Sequence, residues 1–188
     1  MKPIIFKIAI GVALIANTAP LADIRLKPNS ACDDGLEFRL EIDKNSYTPG
    51  TTIHVRFVVR NDDSTPLYFF RNIGQCSSQI GWLALDLRDQ NNHEVESWSC
   101  SADDFDFGKR DVAAILSASE TGILLNKSEA YIREVDYQLP KQKGTFRLHA
   151  ELAPPGYLTD KQRAALSKRN IRVLKSTCVA APLTISVK

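Results

Sequence analysis

Apolar and polar residues alternate with a period of two along much of the chain. Leu36-Glu37-Phe38-Arg39-Leu40-Glu41-Ile42-Asp43 sets its apolar side chains on one face and its charges on the other, the pattern of a strand buried on one side. Lys44–Gly50 ends in Pro-Gly and reads as a turn. Ile53, Val55, Phe57 and Val59 then alternate with His54, Arg56, Val58 and Arg60. The two segments read as a hairpin or as neighbouring strands. Asn61–Pro66 is a second turn, and Leu67–Phe70 a short apolar strand. Trp82–Arg88 carries Leu83, Leu85 and Leu87 on one face, and His93–Trp98 returns beside it across the turn Asp89–Asn92. Glu129–Leu139 turns Tyr131, Val135, Tyr137 and Leu139 inward. Phe146, Leu148, Ala150 and Leu152 alternate with Arg147, His149 and Glu151, and a last strand near Ala181–Val187 turns Leu183, Ile185 and Val187 inward. Residues 101–128 are the least regular, with an acidic cluster, a break at Gly108 and a short apolar run, Val112–Leu116.

One segment carries helix signals. Thr159 can cap a helix, and Gln162 three residues on completes a capping box. Asp160 suits the positive end of the helix dipole, and Lys168 and Arg169 the negative end. The expected helix runs from Asp160 to Arg169. Seven or more short strands separated by turns, with one short helix before the last strand, predict an all-β fold. The expected architecture is an immunoglobulin-like antiparallel β-sandwich, with a closed barrel as its competitor.

The first 22 residues break the pattern. Lys2 and Lys7 precede nine uncharged, mostly apolar residues, Ile8–Ala16, and a small polar stretch, Asn17–Ala22. This is the layout of a secretory signal peptide, and the apolar run is far short of the ~20 residues of a membrane helix. The expectation is a leader over 1–22, a domain over 23–188, a periplasmic or secreted location, and no transmembrane segment once the leader is removed. Export changes how the cysteines read. Cys32, Cys76, Cys100 and Cys178 form an even set, which in an oxidising compartment suggests two disulfides. Cys76 and Cys100 flank the expected hairpin and are the favoured pair, which leaves Cys32 for Cys178. Zinc sites usually hold close Cys or His pairs, and no CxxC occurs.

Composition is that of an ordinary globular domain: 188 residues, 44% hydrophobic and 24% charged. The formal charge of +2 belongs to the leader, and the remainder is neutral, with no net pull toward nucleic acid. Charge is unevenly placed: residues 23–111 carry 16 acidic and 10 basic groups, whereas 112–188 carry 6 and 12.

Some of the turns are familiar. Tyr47-x-Pro49-Gly50, the strand with Ile53, Val55 and Phe57, and then Asn61, a polar turn, Pro66 and Leu67 resemble the opening of bacterial immunoglobulin-like domains. Those domains include the BsuPI-type proteinase inhibitor family and macroglobulin-like modules. Tyr137-x-Leu139-Pro140 followed by Gly144-Thr145-Phe146-Arg147-Leu148-His149-Ala150 resembles their late corner, with Phe146 where Tyr is commoner. The resemblance covers about a third of the chain and implies the sandwich fold. The BsuPI name would imply proteinase inhibition, but no reactive loop carries over residue by residue.

Candidate chemistry is sparse. His54 and His149 sit on polar strand faces, where adjacent strands would let them meet with Glu41 or Glu151; solvated face residues are the favoured reading. Asp103, Asp104 and Asp106 offer oxygens to calcium, but Phe105 and Phe107 interrupt them and Lys109 and Arg110 follow, which favours a solvated acidic loop. No GxSxG, GxGxxG or GxxxxGK[ST] occurs. No catalytic, cofactor or metal site is assigned. Lys161, Arg163, Lys168, Arg169, Arg172 and Lys175 place six cations in fifteen residues with no acid between them. Such a segment is either solvated, facing the acidic half of its own chain, or a partner-binding surface. Without interleaved aromatics it is not a nucleic-acid platform. The expected function is that of an exported non-catalytic interaction module, with proteinase inhibition as its most concrete form. The expected partner is another protein, with a polyanion or glycan as the second choice. A periplasmic enzyme with a site at one end of the sandwich, or an envelope structural component, is the alternative. Thiol titration of the denatured, unreduced protein should find no free cysteine, and peptide mapping should join Cys76 to Cys100 and Cys32 to Cys178; four free thiols would refute the oxidised framework.

Overall fold

A computed structural model describes residues 32, 35–70, 83–99, 111–117, 122–154 and 158–188. The expected leader, the Asp103–Asp106 cluster, Cys76 and Cys100 lie outside these residues.

The first alternating segment forms β1 (Leu36–Ile42) and the second β3 (Thr52–Asn61). They pair antiparallel from Leu36 opposite Asn61 to Ile42 opposite Val55. β8 (Ala130–Gln138) pairs antiparallel on the other side of β3, from Arg60 opposite Ala130 to Thr52 opposite Gln138. The second sheet runs in the order β2-β12-β9-β5-β6. Its members are β2 (Ser46–Tyr47), β12 (Leu183–Val187), β9 (Gly144–Leu152), β5 (Leu83–Arg88) and β6 (Glu94–Ser99). β11 (Cys178–Val179) extends β9 at Leu152 and Glu151.

Period-two burial explains why these sheets face each other. Phe38, Val55, Phe57 and Val59 of the first sheet share one buried cluster with Leu85, Leu87, Leu148, Ala150 and Ile185 of the second. Between the layers, the Tyr137 hydroxyl donates to the Glu96 carbonyl at 3.4 Å. β1 and β2 are successive parts of one strand that changes sheets at Asp43–Asn45. β1 pairs antiparallel with β3, and β2 pairs parallel with the last strand, β12. Tyr47 anchors the crossing: its hydroxyl donates to Asp43 Oδ1 at 2.5 Å and lies 2.7 Å from the Lys44 carbonyl. The strand order is that of an immunoglobulin-like sandwich, A-B-E against G-F-C-C′.

The outer face of the three-stranded sheet is a lattice of ion pairs. Arg39 bridges Glu37 and Glu41 at 2.6 and 2.9 Å, Arg60 reaches Glu37 at 2.7 Å, and Arg56 joins Glu134 at 2.7 Å. Each exposed pair contributes at most about 1 kcal/mol, and together they hold Glu37, Glu41 and Glu134 against cations of the same sheet.

The helix is present over Asp160–Lys168 (α2), with Thr159 as N-cap and the Thr159–Gln162 capping box formed. A second helix, α1 (Val112–Ser117), occupies the apolar run that the sequence left irregular. Asp111 Oδ1 accepts from the Ala114 N–H at 2.7 Å, and Val112 and Ile115, three apart, are buried. That one-turn signal is too short to show as periodicity. Three further strands complete the fold: β4 (Leu67–Phe70), β7 (Gly122–Leu125) and β10 (Arg172–Val173). They form a small sheet in the order β10-β4-β7. Tyr68, Val112, Ile115, Leu158 and Leu166 make a second, smaller core between this sheet and the two helices.

Cys32 and Cys178 form a disulfide with their Cα atoms 4.5 Å apart, closing a separation of 146 residues. A loop of that length is stabilising by on the order of 5 kcal/mol in the chain-entropy account.

Candidate functional site

The extra elements gather where β3 ends and β8 begins. β3 keeps its period to its last residue, so Ile53, Val55, Phe57, Val59 and Asn61 all point inward. Asn61 is therefore a polar side chain at a core position, and it is fully buried, 0% exposed. Its amide nitrogen donates to the Thr65 carbonyl at 3.0 Å and to the Leu125 carbonyl at 2.9 Å. Its amide oxygen accepts from Arg172 Nη2 at 2.7 Å and from the Asp63 N–H at 3.2 Å. All four hydrogen-bonding positions of the side-chain amide are filled. One side chain thus joins the turn after β3, the strand before β8 and the segment after α2.

The turn is shaped around it. Asp63 Oδ1 accepts from the Thr65 N–H at 2.7 Å, an Asx turn. The Gly35 carbonyl accepts from the Asp62 and Asp63 N–H groups at 2.7 and 3.2 Å. Gly35 has φ +77°, and a Cβ there would lie 2.7 Å from Asp63 Cβ, so both its conformation and its space require glycine. Arg172 N–H donates to the Pro66 carbonyl at 2.8 Å, which starts the parallel β10–β4 pairing. At the end of α2, Asn170 adopts φ +56° and the Ile171 N–H donates to the Leu166 carbonyl at 3.0 Å. This left-handed cap reverses the chain from the helix into β10.

Between this turn and α2 lies an open cleft of about 640 Å³. Arg163, Arg172 and Lys175 line it, with Asp63, Thr65, Ser167 and Asn170 as further polar groups. Leu36, Leu67, Ile171, Val173 and Leu174 supply apolar wall, and Cys32 of the disulfide stands at its side. The Thr65 N–H, the nearby Arg172 guanidinium and neighbouring hydroxyls outweigh desolvation and hold the Asp63 carboxyl below its ordinary value. Arg172 Nη1 is 3.9 Å from Asp63 Oδ2, and Arg163 Nε donates to the Leu158 carbonyl at 3.3 Å.

The six cations singled out in the sequence divide here. Arg163, Arg172 and Lys175 converge on the cleft; Lys161, Lys168 and Arg169 are exposed and do not line it. Lys161 and Lys168, seven residues apart, share one side of the helix. Arg172 meets the acidic part of its own chain through Asp63, one of the two readings of the basic segment. The sequence presents Asn61 and Asp63 only as turn residues. The signal for Asn61 was its parity, a polar residue in register with four apolar ones.

The two histidines do not come together, contrary to the option of a shared site. His54 lies on β3, with its Nδ1 2.6 Å from Asp136 Oδ1 at 80% side-chain exposure. His149 lies on β9, in the other sheet, opposite Asp86 of β5. Each is flanked by inward core residues, so the two point away from opposite faces of the sandwich. Glu41 pairs with Arg39 and Arg56 instead. His149 is half-buried, its Nε2 is buried without a hydrogen bond, and desolvation holds its pKa below the ordinary 6.5. Asp86 opposes that shift, while Arg88 and Arg147 add to it. Among the described residues no three His, Cys, Asp or Glu side chains converge, and no helix is long and apolar enough to cross a membrane.

Comparison with known proteins gives likeness of shape only. No family model and no curated protein matches the chain. Among solved structures, the sporulation control protein Spo0M from Bacillus subtilis aligns at a TM-score of 0.43 with 10% identity, over 83% of this chain and 50% of that one. This chain thus spans about half the length of that protein. The C-terminal domain of Wzt aligns at 0.48 with 8% identity over 87% and 80% of the two chains. The CARDB domain of a Pyrococcus furiosus protein, solved with two metal ions, aligns at 0.37 with 10% identity over 81% and 91%. The class of the fold stands on this chain's own strand order: an immunoglobulin-like β-sandwich with a helical cap at one end.

Two substitutions test the geometry. Asn61→Leu keeps the branched outline but strips two carbonyls and an arginine of their shared partner; urea unfolding should show a loss of about 2–4 kcal/mol, and a change below about 0.5 kcal/mol would deny the amide its joining role. For His149, a lowered folded pKa means that the unfolded chain binds the proton more readily. Stability is then fully present above pH 6.5 and declines as pH falls through the folded value. In His149→Gln the thermal midpoint should lose that part of its acid dependence, and an unchanged pH profile would contradict the burial argument.

Proposed function

We propose that this chain is an exported, non-catalytic interaction module that meets its partner with the capped end of the sandwich. The carrying observation is the placement of the additions. Both described helices and the β10-β4-β7 sheet collect where the turn after β3, the lead into β8 and the long segment after β9 converge. In immunoglobulin variable domains the loops of one end, the B–C and F–G loops among them, are the recognition loops. The cap is held to the sandwich by the Asn61 amide, whose hydrogen-bonding positions are all filled, so it presents its cleft on a rigid support, as binding sites require.

The chemistry of the cleft supports binding over catalysis. Among the described residues its charged groups are three cations and one carboxylate held below its ordinary pKa, and none of these is a nucleophile beside a base. Export rests on the N-terminal pattern and on the Cys32–Cys178 disulfide. Proteinase inhibition, which the resemblance of the turns implies, is one particular form of this reading.

A photo-crosslinking residue at Ser167 in the cleft, at Lys141 in the turn at the far end, or at Thr184 on the outer face of the sheet that holds β12 locates the contact. In producing cells, Ser167 should yield an adduct in the periplasmic or extracellular fraction, with the partner's mass otherwise unchanged. Adducts of equal yield at all three positions would overturn the assignment of the capped end, and a cleaved or modified partner would favour the enzyme alternative.

A further inference from the structure

β8 is the last strand of its sheet. Among the described residues the order is β1-β3-β8, and no strand pairs with the far side of β8. The ends of the β3–β8 ladder show which backbone groups that side carries. The Asn61 N–H donates to the Glu129 carbonyl at 3.0 Å, and the Leu139 N–H donates to the Thr51 carbonyl at 2.9 Å. Odd-numbered residues of β3 therefore bond toward β8. Their partners Tyr131, Arg133, Val135 and Tyr137 spend their backbone groups on β3. Ala130, Ile132, Glu134 and Asp136 turn theirs outward. The same four residues are exposed. Ile132, at 54%, is the most exposed large apolar side chain among the described residues. A long strand edge with an apolar centre is a template for another strand.

Charge decides which strand. Side chains directly opposite in an antiparallel pair lie on one face, and like charges there repel. A second copy of β8 is related to the first by a two-fold axis. Because opposed side chains share a face, that axis passes through a residue. An axis through Arg133 sets two guanidinium groups together. An axis through Glu134 or Asp136 sets two carboxylates together, and one through Val135 sets Glu134 against Asp136. An axis through Tyr131 or Tyr137 pairs only the three residues at a strand end. An axis through Ile132 pairs the five residues Ala130–Glu134 with no like charges opposite. Ile132 then meets the partner's Ile132. Val58, its cross-strand neighbour at 3% exposure, extends the apolar row on each side. Ala130 faces Glu134, so outward backbone groups meet outward backbone groups and exchange hydrogen bonds. Arg133 has inward parity, opposite Phe57, yet it is exposed. Charges of this kind guard strand edges; here Arg133, Glu134 and Asp136 reject the slipped registers.

We propose that this chain forms a two-fold dimer by antiparallel pairing of β8 with the β8 of a second copy, with Ile132 on the axis. Two three-stranded sheets become one continuous sheet across both molecules. Ala130 stands opposite Arg60 at the capped end, so the axis lies near that end and the two far ends point apart. The dimer goes beyond the reading of the capped end and does not depend on it. Five paired residues supply less than a standard interface, so the dimer dissociates on dilution.

Sedimentation equilibrium of the exported, oxidised protein should show monomer and dimer exchanging in the micromolar range. Ile132→Glu should weaken association at least about tenfold and leave the thermal midpoint of the dilute monomer in place. Mild oxidation of Ile132→Cys should give a disulfide-linked dimer, since Cα atoms in such a pair lie about 5.5 Å apart, within reach of a disulfide. Glu134→Cys should not link to itself, whereas mixing it with Ala130→Cys should yield the crossed dimer. Three results would overturn the proposal: a monomer at every concentration up to about 1 mM, a dimer that Ile132→Glu leaves intact, or Glu134→Cys linking to itself as readily as Ile132→Cys does.

Discussion

A buried amide must find four hydrogen-bond partners or cost the fold several kcal/mol. Asn61 meets that demand with partners drawn from three separate parts of the chain. The two main sheets need only complementary apolar faces, and they would pack around Phe38, Phe57, Leu85 and Leu148 without it. The cap is different. Its own core is small, built around Tyr68, Ile115, Leu158 and Leu166, and apolar burial of that extent does not specify an orientation. The amide does, because the Thr65 and Leu125 carbonyls, the Asp63 N–H and the Arg172 guanidinium satisfy it in one arrangement. Polar specificity at a single point thus sets where the cleft lies relative to the sandwich.

The same arrangement divides labour among the charges. Arg172 is structural as well as cationic, since it bonds Asn61 and faces Asp63. Arg163 hangs from a capped helix that has its own reasons to be there: a closed capping box at its start and a left-handed asparagine at its end. The positive wall of the cleft therefore stands on secondary structure that would form without a ligand. On the opposite outer face the acidic strands satisfy themselves with Arg39, Arg56 and Arg60. Val58, in the midst of that lattice, is only 3% exposed, whereas its cross-strand neighbour Ile132 is 54% exposed.

Much of this was legible in the sequence. Strands β1, β5 and β9 announce themselves by alternation, because each has one face in the core and one in water, and β3 and β8 do so with breaks at Val58, Ile132 and Arg133. The helix announces itself by Thr159 and Gln162, which act locally and need no tertiary context. What was not legible has local signals too short to register. β10 and β11 are two residues each and exist because Pro66 and Leu152 offer them a neighbour. α1 is a single capped turn buried by a core that other segments build. The split of the basic segment into a cleft-facing and an exposed set also needed the fold. Residues 163 and 168 differ in direction around one helix, and residues 172 and 175 lie beyond a chain reversal. Asn61 was the instructive intermediate case: its parity was visible, but a turn beginning with Asn-Asp-Asp explained it too easily.

The disulfide also has a consequence for tension. It joins residue 32 to residue 178, so a force applied to the two ends of the chain passes from one sulfur to the other. Everything between, including both layers of the sandwich and the cap, is bypassed. Among the described residues, the segment after Cys178 is the one that carries load, and within it β12 is held by β9 on one side and β2 on the other. Stretching the oxidised protein would peel that one strand and then stop. The cleft would keep its shape under a pull that would unravel the reduced chain.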